Sequence, residues 1–155
     1  MTLDINDKAP EFTSATDGDG TVSLSDYKGK TVVLYFYPKD DTSGCTAESI
    51  DFKEHYKEFT DQGVIILGLS KDPVKKHDKF KEKYELPFTL ISDEECKVCS
   101  DYGVWVEKSM YGRKYMGIER STFLIDGNGS IRKIWRKVKV KDHVKEVLSL
   151  VKNEN

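Results

Sequence analysis

The chain has only three cysteines in 155 residues, an odd and low number for a secreted fold stapled by disulfides. No apolar run approaches the ~18 residues that a membrane-spanning helix needs. The start, Met1-Thr2-Leu3-Asp4, lacks the basic stretch and following apolar stretch of a secretory signal. Neither sign of charge is in excess. Lys and Arg number 25 against 27 Asp and Glu, a net of −2, so bulk charge points to no nucleic-acid or membrane partner. The basic run from Arg132 to Lys141 is interrupted by apolar residues and reads as a solvated strand. Repeats, linkers and low-complexity segments are lacking too. A chain of this length buries about 70% of its unfolded surface, enough for a core without disulfides or metal. The expectation is one domain over residues 1–155, in a reducing cytoplasm.

What is present is an alternation of strand and helix patterns. Phe12 to Leu24, broken by Asp17-Gly18-Asp19-Gly20, reads as an N-terminal β-hairpin. Thr31 to Tyr37 is a continuous β-branched and aromatic run, a central strand buried on both faces, and it stops at Pro38. Phe52, Tyr56 and Phe59 give helical spacing from about Thr46 to Phe59, with Gly63 as the stop. Val64 to Leu69 is another buried strand. Pro73 opens a helix with Val74, His77, Phe80 and Tyr84 on one side. Phe88 to Ile91 reads as a strand and Glu94 to Tyr102 as a short helix. Thr122–Ile125 and Ile131–Val138 flank the turn Asp126-Gly127-Asn128-Gly129, and a last helix from Asp142 groups Val144, Val147, Leu148 and Val151. This order predicts an α/β fold with a mixed central sheet flanked by helices.

The chemistry concentrates where the first buried strand ends, in Tyr35-Phe36-Tyr37-Pro38-Lys39-Asp40-Asp41-Thr42-Ser43-Gly44-Cys45. Cys45 falls at a helix N-terminus, where unpaired N–H groups and the helix dipole favour a thiolate, the nucleophilic form. Thr42 can turn its hydroxyl into the same pocket, Gly44 leaves backbone N–H groups approachable, and Pro38 can wall the site. A small apolar cysteine packed under the helix is the alternative on residue chemistry alone. On residue chemistry alone Arg120 reads as a strand-edge ion pair, with Glu119 a candidate partner.

Pro38, Thr42 and Cys45, spaced as Pro, three residues, Thr, two residues, Cys, resemble the peroxiredoxin motif. The surrounding Tyr-Phe-Tyr-Pro-Lys-Asp-Asp-Thr is similar to the bacterioferritin comigratory protein, or peroxiredoxin Q, group. So are Leu67 to Ser70, Phe88 to Asp93, Tyr102 to Trp105 and Arg120 to Asp126. The resemblance implies a thioredoxin-like fold and a thiol peroxidase that reduces hydrogen peroxide and organic hydroperoxides. In it the Cys45 thiolate would become sulfenic acid. Thr42 and Arg120 would hold the peroxide oxygens, with Gly44 lining the substrate site and Pro38 completing the catalytic set. It implies no metal and no flavin, haem or nucleotide cofactor, a thiol reductant (thioredoxin, glutaredoxin or a small thiol), and a monomer. Glu48 matches a position often acidic or amide, and also suits a helix first turn.

Two departures stand out. Ile50 occupies the place of the second cysteine common in this group, and Ser43 that of a proline. Without the local partner, one-cysteine behaviour is expected. Cys96 and Cys99 form a Cys-x-x-Cys pair that admits three readings: plain helix residues, a redox pair, or a resolving thiol for Cys45. A zinc site lacks a second pair, and His55, His77 and His143 show no ligand spacing to it. Trp105, Tyr102 and Tyr111 are candidates for the pocket rim or for packing. The alternatives in function are a thiol–disulfide oxidoreductase using Cys96 and Cys99, and a redox-sensing module without turnover.

Overall fold

The computed structural model of the protein describes residues 3–154, so Met1 and Thr2 of the start read above lie outside the described residues. The N-terminal hairpin forms as β1 (Thr13–Thr16) and β2 (Gly20–Ser23), joined by a 3-10 turn over Asp17–Asp19. A second 3-10 turn, Leu24–Tyr27, leads into β3 (Thr31–Phe36). There follow α1 (Ser43–Glu54), α2 (Tyr56–Asp61), β4 (Val64–Ser70), α3 (Val74–Tyr84), β5 (Thr89–Ser92) and α4 (Lys97–Asp101). The chain ends with β6 (Trp105–Met110), β7 (Arg113–Ile118), β8 (Ser121–Ile125), β9 (Ile131–Trp135) and α5 (His143–Glu154). Seven strands build one mixed sheet in the order β2-β1-β5-β4-β3-β8-β9, and β6 with β7 makes a separate two-stranded ribbon. β3 runs parallel to β4 and antiparallel to β8, and β4 parallel to β5. No helix of the described residues is long and apolar enough to cross a membrane.

The strand period of two sorts the core onto the two faces of this sheet. Val32, Leu34 and Phe36 point to one face, with Leu67, Leu69, Phe123, Val98, Cys99 and Tyr102. Val33, Tyr35 and Tyr37 point to the other, with Cys45, Phe52, Phe59, Phe80 and the α5 valines. Thus α1, α2, α3 and α5 cover one face, and α4 with the N-terminal segments covers the opposite one.

The helix expected over Thr46–Phe59 starts earlier and is broken. It begins at Ser43, so Cys45 lies inside its first turn, and it divides at His55, whose ring Nδ1 donates to the Asp51 carbonyl at 3.0 Å. The short helix expected over Glu94–Tyr102 shrinks to Lys97–Asp101. The side chain of Asp93 takes the amide hydrogens of Val98 and Cys99 (3.2 and 2.9 Å), and Cys96 turns the chain with a left-handed φ of 59°. The sequence reading missed the β6–β7 ribbon. Its turn, Tyr111-Gly112, has positive φ at both residues, the two-residue hairpin geometry usually signalled by Asn-Gly or Asp-Gly.

Phe52 is fully buried and stacks on Tyr35 with ring centroids 4.5 Å apart. Phe52→Ala is expected to lower stability by about 3–5 kcal/mol in urea unfolding. Tyr111→Ala at the fully exposed ribbon tip (99% exposed) should stay within about 0.5 kcal/mol.

Candidate active site

β3 ends where its ladder runs out of donors. The Tyr37 amide still reaches the Leu69 carbonyl at 3.0 Å, but Pro38 has no N–H to continue. The chain turns through Lys39, Asp40 and Asp41, the last at a left-handed φ of 60°, and Thr42 caps the start of α1 with extended backbone. The Thr42 carbonyl accepts the Thr46 amide at 2.8 Å. Its hydroxyl donates to the Lys39 carbonyl at 2.8 Å and closes the preceding turn. A hydroxyl has one hydrogen to give, so only its lone pairs stay available to another partner.

Cys45, the third residue of α1, is 1% exposed. Arg120, immediately before β8, reaches it: Nη2 lies 3.4 Å from Sγ, while Nη1 donates to Glu48 Oε1 at 2.8 Å. The expected alternative, an ion pair of Arg120 with Glu119, gives way to this pair with Glu48 because the guanidinium points back over α1. Gly44 has a reason beyond open amides. A Cβ there would stand 3.1 Å from Arg120 Nη2, a tight contact that would push the guanidinium off by a few tenths of an ångström.

The electrostatics follow from burial. Glu48 is fully buried, and burial pushes its pKa up to about 7, even though the charge and hydrogen bond of Arg120 pull the other way. Its second oxygen, Oε2, has no hydrogen-bond partner. Burial acts against the charge on Arg120, but Glu48 and the Cys45 sulfur outweigh it and raise its pKa. Lys108 of the ribbon is held below the ordinary lysine range, first by burial and then by the Arg120 charge. His143 donates to or accepts from Thr122 Oγ1 at 2.8 Å, and burial with the Arg120 charge pushes its pKa down to about 4. The sequence reading matched Glu48 to a family position and to a helix first turn, but α1 begins at Ser43 and leaves Glu48 beyond its first turn; Lys108 was passed over. The i, i+3 spacing of Cys45 and Glu48 on one helix face was the one signal that could have joined Glu48 to the thiol.

Cys96 and Cys99 are not brought to this group. Cys99 packs on the opposite face of the sheet from Cys45, and burial, followed by the nearby Asp93 charge, drives its pKa strongly up. Cys96 is part-exposed, and burial and Asp93 raise it as well. Tyr102 is core, its hydroxyl on the Pro10 carbonyl at 2.8 Å; Tyr111 is the exposed ribbon tip, and Trp105 packs partly buried against the core.

A mixed sheet of this topology, with a thiol in the first turn of the helix after its central strand and a guanidinium over the sulfur, is the frame of a thiol peroxidase. The AhpC/TSA family model matches residues 5–134. The chain is 54% identical to the putative peroxiredoxin bcp of Coxiella burnetii over 148 residues, 96% of this chain and 98% of that one. It is 53% identical to the peroxiredoxin Bcp of Bacillus subtilis, over 99% and 98% of the two chains. Among solved structures, a cysteine-to-serine variant of Xylella fastidiosa PrxQ superposes with a TM-score of 0.94 at 38% identity, covering 99% of this chain and 98% of that one. The bacterioferritin comigratory protein of Xanthomonas campestris gives 0.89 at 42% identity, covering 92% and 91%. The chain belongs to the AhpC/TSA family and, within it, to the bacterioferritin comigratory protein or peroxiredoxin Q group of peroxiredoxins. It is a thiol-dependent peroxidase with the thioredoxin-like fold of that group.

The raised Glu48 carboxyl makes stability depend on pH. With a folded pKa of about 7 against an ordinary 4.5, the folded state binds the extra proton between these values. Glu48 therefore contributes stability that is fully present below about 4.5 and is lost as pH rises through 7, on the order of 1–3 kcal/mol. Urea unfolding across this interval should show wild type falling relative to Glu48→Gln. Parallel curves for the two proteins would show that Glu48 does not titrate there.

Proposed function

We propose that Cys45 is the peroxidatic nucleophile, with Arg120, Thr42, Gly44 and Pro38 forming its site. The single observation that carries the reading is Arg120, which spans from the Cys45 sulfur (3.4 Å) to the buried Glu48 (2.8 Å). A guanidinium beside the sulfur places fixed positive charge there and leaves further N–H donors for the peroxide oxygens. The sulfur attacks one peroxide oxygen, so an S–O bond forms as the O–O bond breaks. The other oxygen departs as alkoxide or hydroxide and takes up a proton from solvent. Sulfur is oxidised to sulfenic acid, and the peroxide is reduced to alcohol or water. Pro38 walls the site, and Thr42 offers its lone pairs at the start of α1. Hydrogen peroxide and small organic hydroperoxides are the substrates.

The sulfenic acid is resolved by an external thiol. Ile50 offers no sulfur on α1, and the central sheet lies between Cys45 and Cys99. A disulfide needs Cα atoms within about 7 Å, so pairing across the sheet demands large unfolding. Thioredoxin, glutaredoxin or a small thiol first forms a mixed disulfide with Cys45 and releases water. A second thiol then frees Cys45 and carries away the disulfide. The protein acts as a monomer of the reducing cytoplasm, which suits its three free thiols. Disulfide exchange by Cys96 and Cys99 is disfavoured by the raised pKa of both thiols.

Cys45→Ser is expected to abolish peroxide turnover, whereas Cys96→Ser and Cys99→Ser keep the first oxidation. Peroxide-dependent activity surviving in Cys45→Ser sinks the assignment. Arg120→Ala should slow Cys45 oxidation by roughly 10²–10³-fold, with only partial rescue by Arg120→Lys. Intact mass after one equivalent of peroxide should show the gain of one oxygen. A loss of two hydrogens, with Cys45 linked to Cys96 or Cys99, would overturn external resolution.

A further inference from the structure

We infer that His77 is a positioning residue for the oxidation of Cys45: through Asp40 it clamps the loop between β3 and α1 from which Thr42 and the helix start are presented. The inference rests on Cys45 as the nucleophile.

The geometry lies under that loop. Asp40, Asp72 and His77 are all buried and bring their polar atoms within 4.8 Å of one another. The Asp40 carboxylate accepts from the Tyr37 hydroxyl at Oδ1 and from His77 Nδ1 at Oδ2, both at 2.6 Å. The Asp40 amide donates to Asp72 Oδ2 at 2.8 Å, and the same oxygen takes the Ser70 hydroxyl at 2.6 Å. The Ser92 hydroxyl donates to the Asp72 carbonyl at 2.6 Å. His77 Nε2 lies 2.9 Å from the Ile91 carbonyl.

Although Asp, Asp and His could in principle ligate a metal, two ligands of one tetrahedral zinc stand roughly 3.4 Å apart. The 2.6 Å between Nδ1 and Oδ2 is a hydrogen-bond length, so the cluster is built around a proton. The Ile91 carbonyl can only accept, which fixes a hydrogen on Nε2. The Asp40 carboxylate already accepts from Tyr37, which favours a second hydrogen on Nδ1. His77 is then an imidazolium donating at both ends, tying the loop to α3 and β5 at once. The charged groups facing it are Asp40 and Asp72; Tyr37, Ser70, Ser92 and the Ile91 carbonyl are neutral. Burial acts against the charge, but the Asp40 hydrogen bond and charge, with Ile91 and Asp72, outweigh it and hold His77 above the usual histidine range. The next loop residue is gripped by the same helix: Asp41, at its left-handed φ, accepts from Lys83 Nζ at 2.9 Å and Tyr84 O–H at 2.8 Å.

A neutral His77 has one hydrogen for two acceptors, so a buried acceptor goes unpaired and the clamp opens. The sign follows. A raised pKa means that the clamp is complete below about 6.5 and is lost as pH rises through the folded value. Oxidation at Cys45 should therefore slow on the alkaline side in step with His77, whereas a purely structural histidine would change melting alone.

The test follows wild type by rapid mixing with hydrogen peroxide. Oxygen gained at Cys45 is read by peptide mass, while the His77 ring is titrated by NMR over the same pH range. The expected result is a fall in the oxidation rate constant of about tenfold across the interval in which His77 loses its proton. His77→Asn keeps one uncharged donor toward Asp40. It should be about tenfold slower at neutral pH and lack that alkaline limb. A His77 ring neutral at all pH values, or a wild-type rate indifferent to its titration, overturns the inference, and neither outcome depends on the variant folding. Failure of Cys45 as the nucleophile is distinguishable, since no oxygen would then appear on it at any pH.

Discussion

The pairing of β3 with β8 is the constraint on which the site depends. In this antiparallel ladder Phe36 stands opposite Ser121, which puts Arg120 alongside the point where β3 leaves the sheet and α1 is about to begin. A slip of one residue would turn every β8 side chain to the other face, so the buried residues Ser121 to Ile125 fix the register through their packing on both sides. The Arg120 carbonyl is held as well, accepting the Val138 amide at 2.9 Å. The guanidinium is thus delivered over the first turn of α1 by the sheet rather than by a flexible loop. Gly44 leaves the room that it needs.

Around that guanidinium the protein gathers few charges and buries them deeply. Glu48 balances Arg120 but gains no partner for its second oxygen, so it sits near neutrality in pH and can be carried charged or protonated at little difference in free energy. His143, one element away, is kept neutral by burial and by the same Arg120 charge. Positive charge near the sulfur is therefore concentrated on the one residue that cannot lose its proton, with Lys108 half-buried at its side. Such a group keeps its electrostatic effect over the whole working pH range.

The sheet is also a partition. Its two faces separate two of the cysteines, Cys45 on α1 on one side and Cys99 on α4 on the other. Cys99 has its amide tied to Asp93, whose negative charge opposes ionisation of the thiol. The two buried sulfurs thus sit in different environments on the two sides of one sheet.

Much of this could be read from the chain. The β-branched and aromatic run of β3, the stop at Pro38, a thiol at a helix start and the Pro, Thr, Cys spacing are local patterns, and local patterns survive in sequence. The mixed α/β sheet followed from the alternation of elements. Other features come from long-range contacts, which no spacing encodes. The pairing of Arg120 with Glu48, 72 residues apart, is one, and the grip of His77 on Asp40, 37 residues apart, is another. The ribbon β6–β7 escaped notice because its exposed strands need no apolar alternation. The hydroxyl of Thr42 went to Lys39 because the turn before α1 needed closing. By itself the sequence determined which thiol stands at a helix N-terminus. Only the tertiary structure decided which charges reach it and which thiols do not, because a sheet register sets distances between residues that the chain keeps far apart.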